Sequence, residues 1–138
     1  MEAAYRLLEN EEMPGWLFMP KNGATTIWES WEGTQAQDGI ASLNHYSKGA
    51  VCEWLFKTMC GIRVEGENHF TIAPRPGGHF TYAKASYDSV YGRVESGWRR
   101  EDGKTVFEIT VPANCTAELR LSGEAPCRLT AGAWRFER

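Results

Sequence analysis

No apolar run in this chain approaches the ~20 residues needed to span a bilayer. The longest, such as Val51 to Phe56, is interrupted by Glu53, so no transmembrane helix is expected. There is no C-x-x-C pair and no cysteine–histidine spacing suited to zinc among Cys52, Cys60, Cys115 and Cys127, which argues against a structural metal site. On a shared helix Cys52 and Cys60 would stand ~12 Å apart, beyond disulfide reach, so reduced, buried thiols are expected. Phosphate-cradling glycine motifs are missing, as are internal repeats and low-complexity segments. Basic residues form no stripe: residues 1 to 61 hold 4 basic and 8 acidic side chains, and residues 62 to 138 hold 11 and 10. A nucleic-acid partner and a membrane partner are both disfavoured. The first dozen residues carry Glu2, Glu9, Glu11 and Glu12 in place of a basic start and apolar core, so the chain as it stands reads as cytoplasmic, with no signal peptide.

What the sequence does contain is 138 residues with 42% hydrophobic and 12% aromatic content, divided into two halves of different periodicity. Ala3, Ala4, Leu7 and Leu8 recur at helical spacing before Pro14-Gly15 forbids continuation. Thr26 stands three residues before Glu29, the spacing of a capping box, and predicts a second helical start. The strongest helical pattern runs from about Ser42 to Cys60, with Leu43, Tyr46, Ala50, Val51, Trp54, Leu55 and Met59 on one face and Gly61 as its stop. Beyond Ile62 the period becomes two. Phe107, Ile109 and Val111 form one alternating run, and Cys115, Ala117, Leu119 and Leu121 another. Further strands are expected near 68 to 73, 79 to 87, 91 to 100 and 132 to 137, with Asp102-Gly103 as a hairpin turn.

The expected class is therefore α+β, a short helical segment over residues 1 to 61 followed by an antiparallel β-sandwich over 62 to 138. Helices with apolar surface on several sides need more partners than this chain supplies. A missing N-terminal part is expected to cover them, and in its absence the chain is expected to form a homo-oligomer through residues 1 to 61.

The stretch from Gly23 to Trp31 (Gly-Ala-Thr-Thr-Ile-Trp-Glu-Ser-Trp), then Ser42-Leu43-Asn44-His45-Tyr46 and Gly49 to Leu55, resembles the end of a bacterial α-L-rhamnosidase catalytic domain. Ala73-Pro74-Arg75-Pro76-Gly77-Gly78, Ala83 to Ser89 and Tyr91-Gly92-Arg93 resemble that family's passage into its C-terminal β-sandwich. The resemblance implies that residues 1 to 61 are the last helices of an (α/α)₆ toroid. It also implies inverting hydrolysis of terminal α-L-rhamnose from a rhamnosylated glycan or glycoside, by two carboxylates and without cofactor or catalytic metal. Glu29 matches the family's general base and His45 a sugar-contacting histidine, with Trp31 and Trp28 as neighbouring pocket residues. No segment matches the general acid. One departure is the loop between Trp31 and Ser42, shorter than the family's and carrying Glu32-Gly33.

Each of these residues also has a plainer reading. Glu29 can be the capping partner of Thr26, His45 a satisfied core histidine, and both tryptophans core. Glu53 is read as a salt-bridged surface residue, and Arg75 and Lys84 as structural. A reading from another class makes the β-sandwich a carbohydrate-binding or interaction module. That reading needs exposed rings in a row, for which Phe80, Tyr82, Tyr87 and Trp98 are the candidates, and strict alternation puts Tyr87 opposite to Phe80 and Tyr82.

Overall fold

The structure, a computed structural model, describes all 138 residues and packs them as two compact units, Met1–Cys52 and Glu53–Arg138. The α+β order, helical first and β second, is as the periodicity predicts. The packing boundary falls earlier than the 61/62 division, because the last helical turn is tied to the sheet by the hydrogen bonds described below. No helix is long and apolar enough to cross a membrane.

In the first unit α1 (Glu2–Leu8) buries Tyr5 and α2 (Phe18–Lys21) buries Met19. The remainder is turns and extended chain, with short 3₁₀ turns at Gly33–Gln35 and Ser47–Ala50. The helix expected to open at Thr26 does not form. Its backbone groups are used across the chain instead, Glu29 N–H donating to the Ser42 carbonyl at 2.8 Å and the Ile27 carbonyl accepting the His45 N–H at 2.8 Å. The helix expected from Ser42 also starts late. Ser42 Oγ accepts the Asn44 N–H at 3.2 Å and donates to the Asn44 carbonyl at 3.1 Å, a local turn that competes with helix. Helical backbone begins only at Ser47 and continues through α3 (Val51–Trp54) and a π-helical turn, Leu55–Met59. Gly61 ends it as expected, at φ +79°. A Cβ there would lie 2.2 Å from the backbone of Ala73 and Pro74, so the position admits glycine alone.

The second unit is a six-stranded sheet: β1 (Ile62–Val64), β2 (His69–Ile72), β3 (Tyr82–Ser89), β4 (Gly92–Glu101), β5 (Lys104–Leu119) and β6 (Cys127–Glu137). The strand order is β1-β2-β5-β4-β3, with β6 paired to β5. The two alternating runs read as separate strands are one 16-residue strand, β5, interrupted by an irregularity between Val111 and Thr116. Asn114 takes φ +60° there, two residues after Pro112, which has no N–H to give the ladder. The first part of β5 pairs with β4 and the last part with β2, while β6 follows both. Asp102-Gly103 makes the expected turn between β4 and β5.

One pairing departs from the antiparallel expectation. β2 and β5 are parallel, His69 to Ile72 against Thr116 to Leu119, and the link is reinforced by His69 Nδ1 to Thr116 Oγ1 at 2.9 Å. Parallel pairing follows because the chain leaves β2, builds the β3–β4 hairpin, and re-enters beside β2 in the same direction.

Val94, Ser96 and Trp98 on β4 share a buried face with Phe107, Ile109 and Val111 on β5, and Phe70, Ile72, Ala117, Leu119 and Leu129 extend the core. Two polar groups in this core hold the end of the helical turn. Ser96 Oγ donates to the Cys60 carbonyl at 2.6 Å and Trp98 Nε1 to the Met59 carbonyl at 2.9 Å. Ser96 satisfies a carbonyl that the helix end would otherwise leave open, and Trp98 gives the Met59 carbonyl a second donor beside the Arg75 N–H at 3.4 Å. Trp98 is thus only 2% exposed, while Tyr82 is 70% exposed and pairs in register with Arg99 on the opposite face. The four candidate rings are not assembled in a row, which removes the platform that the sugar-binding reading drew from them. The opposite face carries ion pairs instead, Lys84 with Glu95 at 3.7 Å and Arg99 with Glu108 at 2.8 Å. Glu53, 2.5 Å from Lys57, has the salt-bridged surface role expected of it, whereas Lys84, read as structural, pairs with Glu95 on the sheet face.

The four cysteines are free, but only two of them are buried. Burial pushes the Cys60 thiol from the ordinary 9.0 up to about 11, and raises Cys115. Because the folded value is the higher one, this contribution to stability is complete below pH 9.0 and is lost as pH rises toward 11. At pH 8 a thiol reagent such as DTNB is expected to titrate two thiols rapidly in the folded protein, Cys52 and Cys127, and four in denaturant. Four rapid equivalents without denaturant would contradict the burial of Cys60 and Cys115.

Candidate functional site

The first unit brings Glu29 and His45 together from segments 16 positions apart in the sequence. Glu29 N–H and His45 N–H form the two backbone bonds described above, and Thr26 Oγ1 adds a short hydrogen bond to the Leu43 carbonyl. Thr26 is therefore not a helix cap and Glu29 is not its capping partner. Both side chains bond across to the facing segment.

The Glu29 carboxylate has two oxygens in different situations. Oε2 accepts the Ser42 N–H at 3.0 Å. Oε1 lies 3.9 Å from His45 Nε2, and the Glu29 side chain is 46% exposed. At 3.9 Å the two are not directly hydrogen-bonded, yet a third oxygen at ~2.8 Å from each fits between them.

The histidine ring is oriented by its own neighbours. Ser47 N–H points at Nδ1 from 3.3 Å and Ser47 Oγ lies 2.9 Å from the same nitrogen. A backbone N–H can only donate, so Nδ1 is the acceptor and in the neutral ring the hydrogen sits on Nε2, facing Glu29 Oε1. The ring is also stacked on Tyr46, at 4.9 Å between centroids and 21° between planes. What results is a carboxylate oxygen and an imidazole N–H set to share one oxygen of a ligand, acceptor on one side and donor on the other.

The two tryptophans part company. Trp31 is half-buried, its ring meeting Trp16 edge-on at 5.6 Å and 87°, with Lys48 Nζ 4.5 Å from its centroid. Trp28 is 3% exposed, and departs from the expectation of a sugar-facing residue. Its ring lies against Gly33, where φ is +50° and a Cβ would stand 1.9 Å from the indole, so Trp28 fills the interior beneath the loop after Trp31. A separate open hollow of about 510 Å³ is lined by Glu32, Gln35, Gln37 and Asp38 of that same loop, with Met13 and Ser30 beside them.

Ser42, Ser47, Trp16 and Lys48 were not singled out by the sequence. Ser42 acts through its backbone amide, which any residue carries, Ser47 through its amide and its hydroxyl, and Trp16 Nε1 donates to the Lys48 carbonyl at 3.0 Å across 32 residues. Lys48 Nζ donates to the Trp28 carbonyl at 3.3 Å and, in a short bond, to that of Glu29. Its sequence context, inside the helix expected from Ser42, gave no sign of this.

Two family models divide the chain between them. One, the bacterial alpha-L-rhamnosidase 6 hairpin glycosidase domain, matches residues 1–59, and the other, the bacterial alpha-L-rhamnosidase C-terminal domain, matches residues 64–132. An alpha-L-rhamnosidase of Streptomyces avermitilis is 36% identical over 135 residues, covering 93% of this chain and 13% of that protein. One from Formosa agariphila is 37% identical over 128 residues, covering 88% and 14%. Among solved structures, Streptomyces avermitilis alpha-L-rhamnosidase complexed with L-rhamnose superposes with a TM-score of 0.88 at 32% identity, over 99% of this chain and 16% of that one. The Aspergillus terreus enzyme does so with a TM-score of 0.86 at 26% identity, over 96% and 17%. The chain thus spans about one seventh of the curated relatives it matches.

Proposed function

The chain belongs to the bacterial alpha-L-rhamnosidases, and from that premise we propose that it carries the water-activating end of a glycosidase site acting on terminal α-L-rhamnose. The observation that carries this reading is the pairing of Glu29 Oε1 with His45 Nε2 at 3.9 Å, while Oε2 is held by Ser42 N–H.

In inverting hydrolysis one carboxylate takes a proton from the attacking water as a carboxylic acid on the other face of the sugar protonates the leaving oxygen, the two standing ~6.5 to 9.5 Å apart. Glu29 is the base in this scheme. Its open oxygen accepts the water's proton, and its tethered oxygen keeps the carboxylate from swinging away. His45 Nε2–H donates to the same oxygen or to a sugar hydroxyl beside it. Trp31 walls the site, an indole face being suited to the apolar side of a sugar ring. Trp28 fills the interior against Gly33, beneath the loop that follows Trp31. The general acid lies in the part of the longer enzyme that this chain does not span, so the substrate, a rhamnosylated glycan or glycoside, is gripped by both parts.

Two outcomes are expected. The 138-residue chain by itself leaves an aryl α-L-rhamnoside at its uncatalysed rate, because no acid protonates the leaving oxygen. In the complete enzyme Glu29→Gln lowers kcat by about a hundredfold or more with KM little changed, since the amide keeps the shape but accepts no proton. Turnover by the chain alone that disappears with Glu29→Gln would place the acid within it, and unchanged kcat in the complete enzyme would remove Glu29 from the base role.

Leu7, Met13, Leu17, Ile40 and Tyr46 are exposed on the first unit. In the complete enzyme we assign their cover to the preceding helices of the catalytic domain. In the isolated chain a second copy takes that place, since burying a side chain of this size contributes ~1.5 to 3 kcal/mol. Light scattering over a dilution series is expected to show concentration-dependent association. A strictly monomeric species at all concentrations would rule that out.

A further inference from the structure

Lys48 makes contacts that a surface lysine has no reason to make. An ammonium has three N–H donors, and here two of them meet the carbonyls of Trp28 and Glu29. The charge also sits 4.5 Å from the centroid of the Trp31 ring, an attractive position over an indole face. The residue's own carbonyl is held by Trp16 Nε1–H at 3.0 Å, and Trp16 closes the group by meeting Trp31 edge-on. Lys48 is half-buried, with its backbone held by Trp16 and its ammonium head by the two carbonyls.

The two carbonyls it grips belong to the peptide groups on either side of the Glu29 Cα. Holding both planes sets the direction in which the Glu29 side chain leaves the backbone. From there Oε2 reaches Ser42 N–H and Oε1 comes to face His45. We propose that Lys48 is the positioning residue of the base, fixing the Glu29 backbone so that its carboxylate stays aimed at the oxygen it shares with His45. It acts through Glu29 and touches no reacting atom. The inference rests on the reading of Glu29 as base, and a displacement of the reacting group by ~1 Å can cost about a hundredfold in rate.

The test uses the complete enzyme carrying this segment, with an aryl α-L-rhamnoside as substrate. Lys48→Met keeps the stem and removes the donors. It is expected to lower kcat by about ten- to a hundredfold with KM within about twofold. Lys48→Arg is expected to recover most of kcat, because a guanidinium donates to two carbonyls at once and lies flat on an indole. Should Lys48→Met fail to fold, Trp16→Phe removes the bond to the Lys48 carbonyl while keeping a ring edge against Trp31. That variant is expected to lower kcat several-fold at unchanged KM. Wild-type kcat in Lys48→Met overturns the proposal, as does a loss that Lys48→Arg does not restore or that appears equally in KM. Wild-type kcat in Trp16→Phe, where Lys48→Met does not fold, overturns it too. Glu29→Gln measured alongside separates the two readings. If it is inactive and Lys48→Met is normal, only the positioning role fails, whereas an active Glu29→Gln removes the base assignment on which that role depends.

Discussion

Two backbone hydrogen bonds, Glu29 N–H to the Ser42 carbonyl and His45 N–H to the Ile27 carbonyl, decide what the first 52 residues can do. Neither segment is helix or regular strand, so these two bonds set the facing segments that carry the carboxylate and the imidazole. Around this pair the other contacts fall into place: Ser42 N–H on one carboxylate oxygen, Ser47 on Nδ1, and Lys48 on the carbonyls flanking Glu29. Most of these donors are backbone amides or a lysine already held in place. Such groups are costly to reorient, and pre-set donors of this kind are what electrostatic and acid–base catalysis draw on.

The second unit is organised by a different constraint, the length of β5. Sixteen residues are too many for one straight partner, and the irregularity at residues 112 to 115 lets a single strand serve β4 along its first part and β2 along its last. The buried face that results also takes the end of the preceding helical turn through Ser96 and Trp98. A buried serine and a buried indole would each be a liability without a partner, and here each has the carbonyl it needs.

Much of this was legible in the residues. The period of two located every strand but β1, the Asp102-Gly103 pair marked its turn, Gly61 marked the helix end, and the family resemblance picked out Glu29 and His45. The failures have physical causes. Thr26 and Glu29 have capping-box spacing, but the same two residue types bond equally well to a facing segment, and local spacing carries no record of which partner is available. The apolar pattern from Ser42 is helical as far as it goes, yet the Ser42 hydroxyl offers the backbone a competing turn. Two runs broken at Pro112 and Asn114 read as two strands because a bulge and a loop look alike in sequence. Trp28 and Trp31 are three residues apart and of the same type, and only the glycine at 33, whose missing side chain admits the Trp28 ring, distinguishes the buried one from the other. The parallel partner of β2 lies 47 residues away, beyond the range of any local pattern.

That last separation has a bearing on how the polypeptide is made. The contacts around Glu29 and His45 close within the first 52 residues, so they can form as soon as that stretch has left the ribosome. β2 has no such opportunity. Its hairpin partner β1 covers one edge, but the other edge is offered to residues that are 47 positions downstream, which at ~5 to 20 residues per second means an exposed strand edge for about 2 to 10 s. During synthesis the hazard of wrong pairing is therefore concentrated on a four-residue strand, His69–Ile72, and its shortness limits the ladder that a stray strand could build on it.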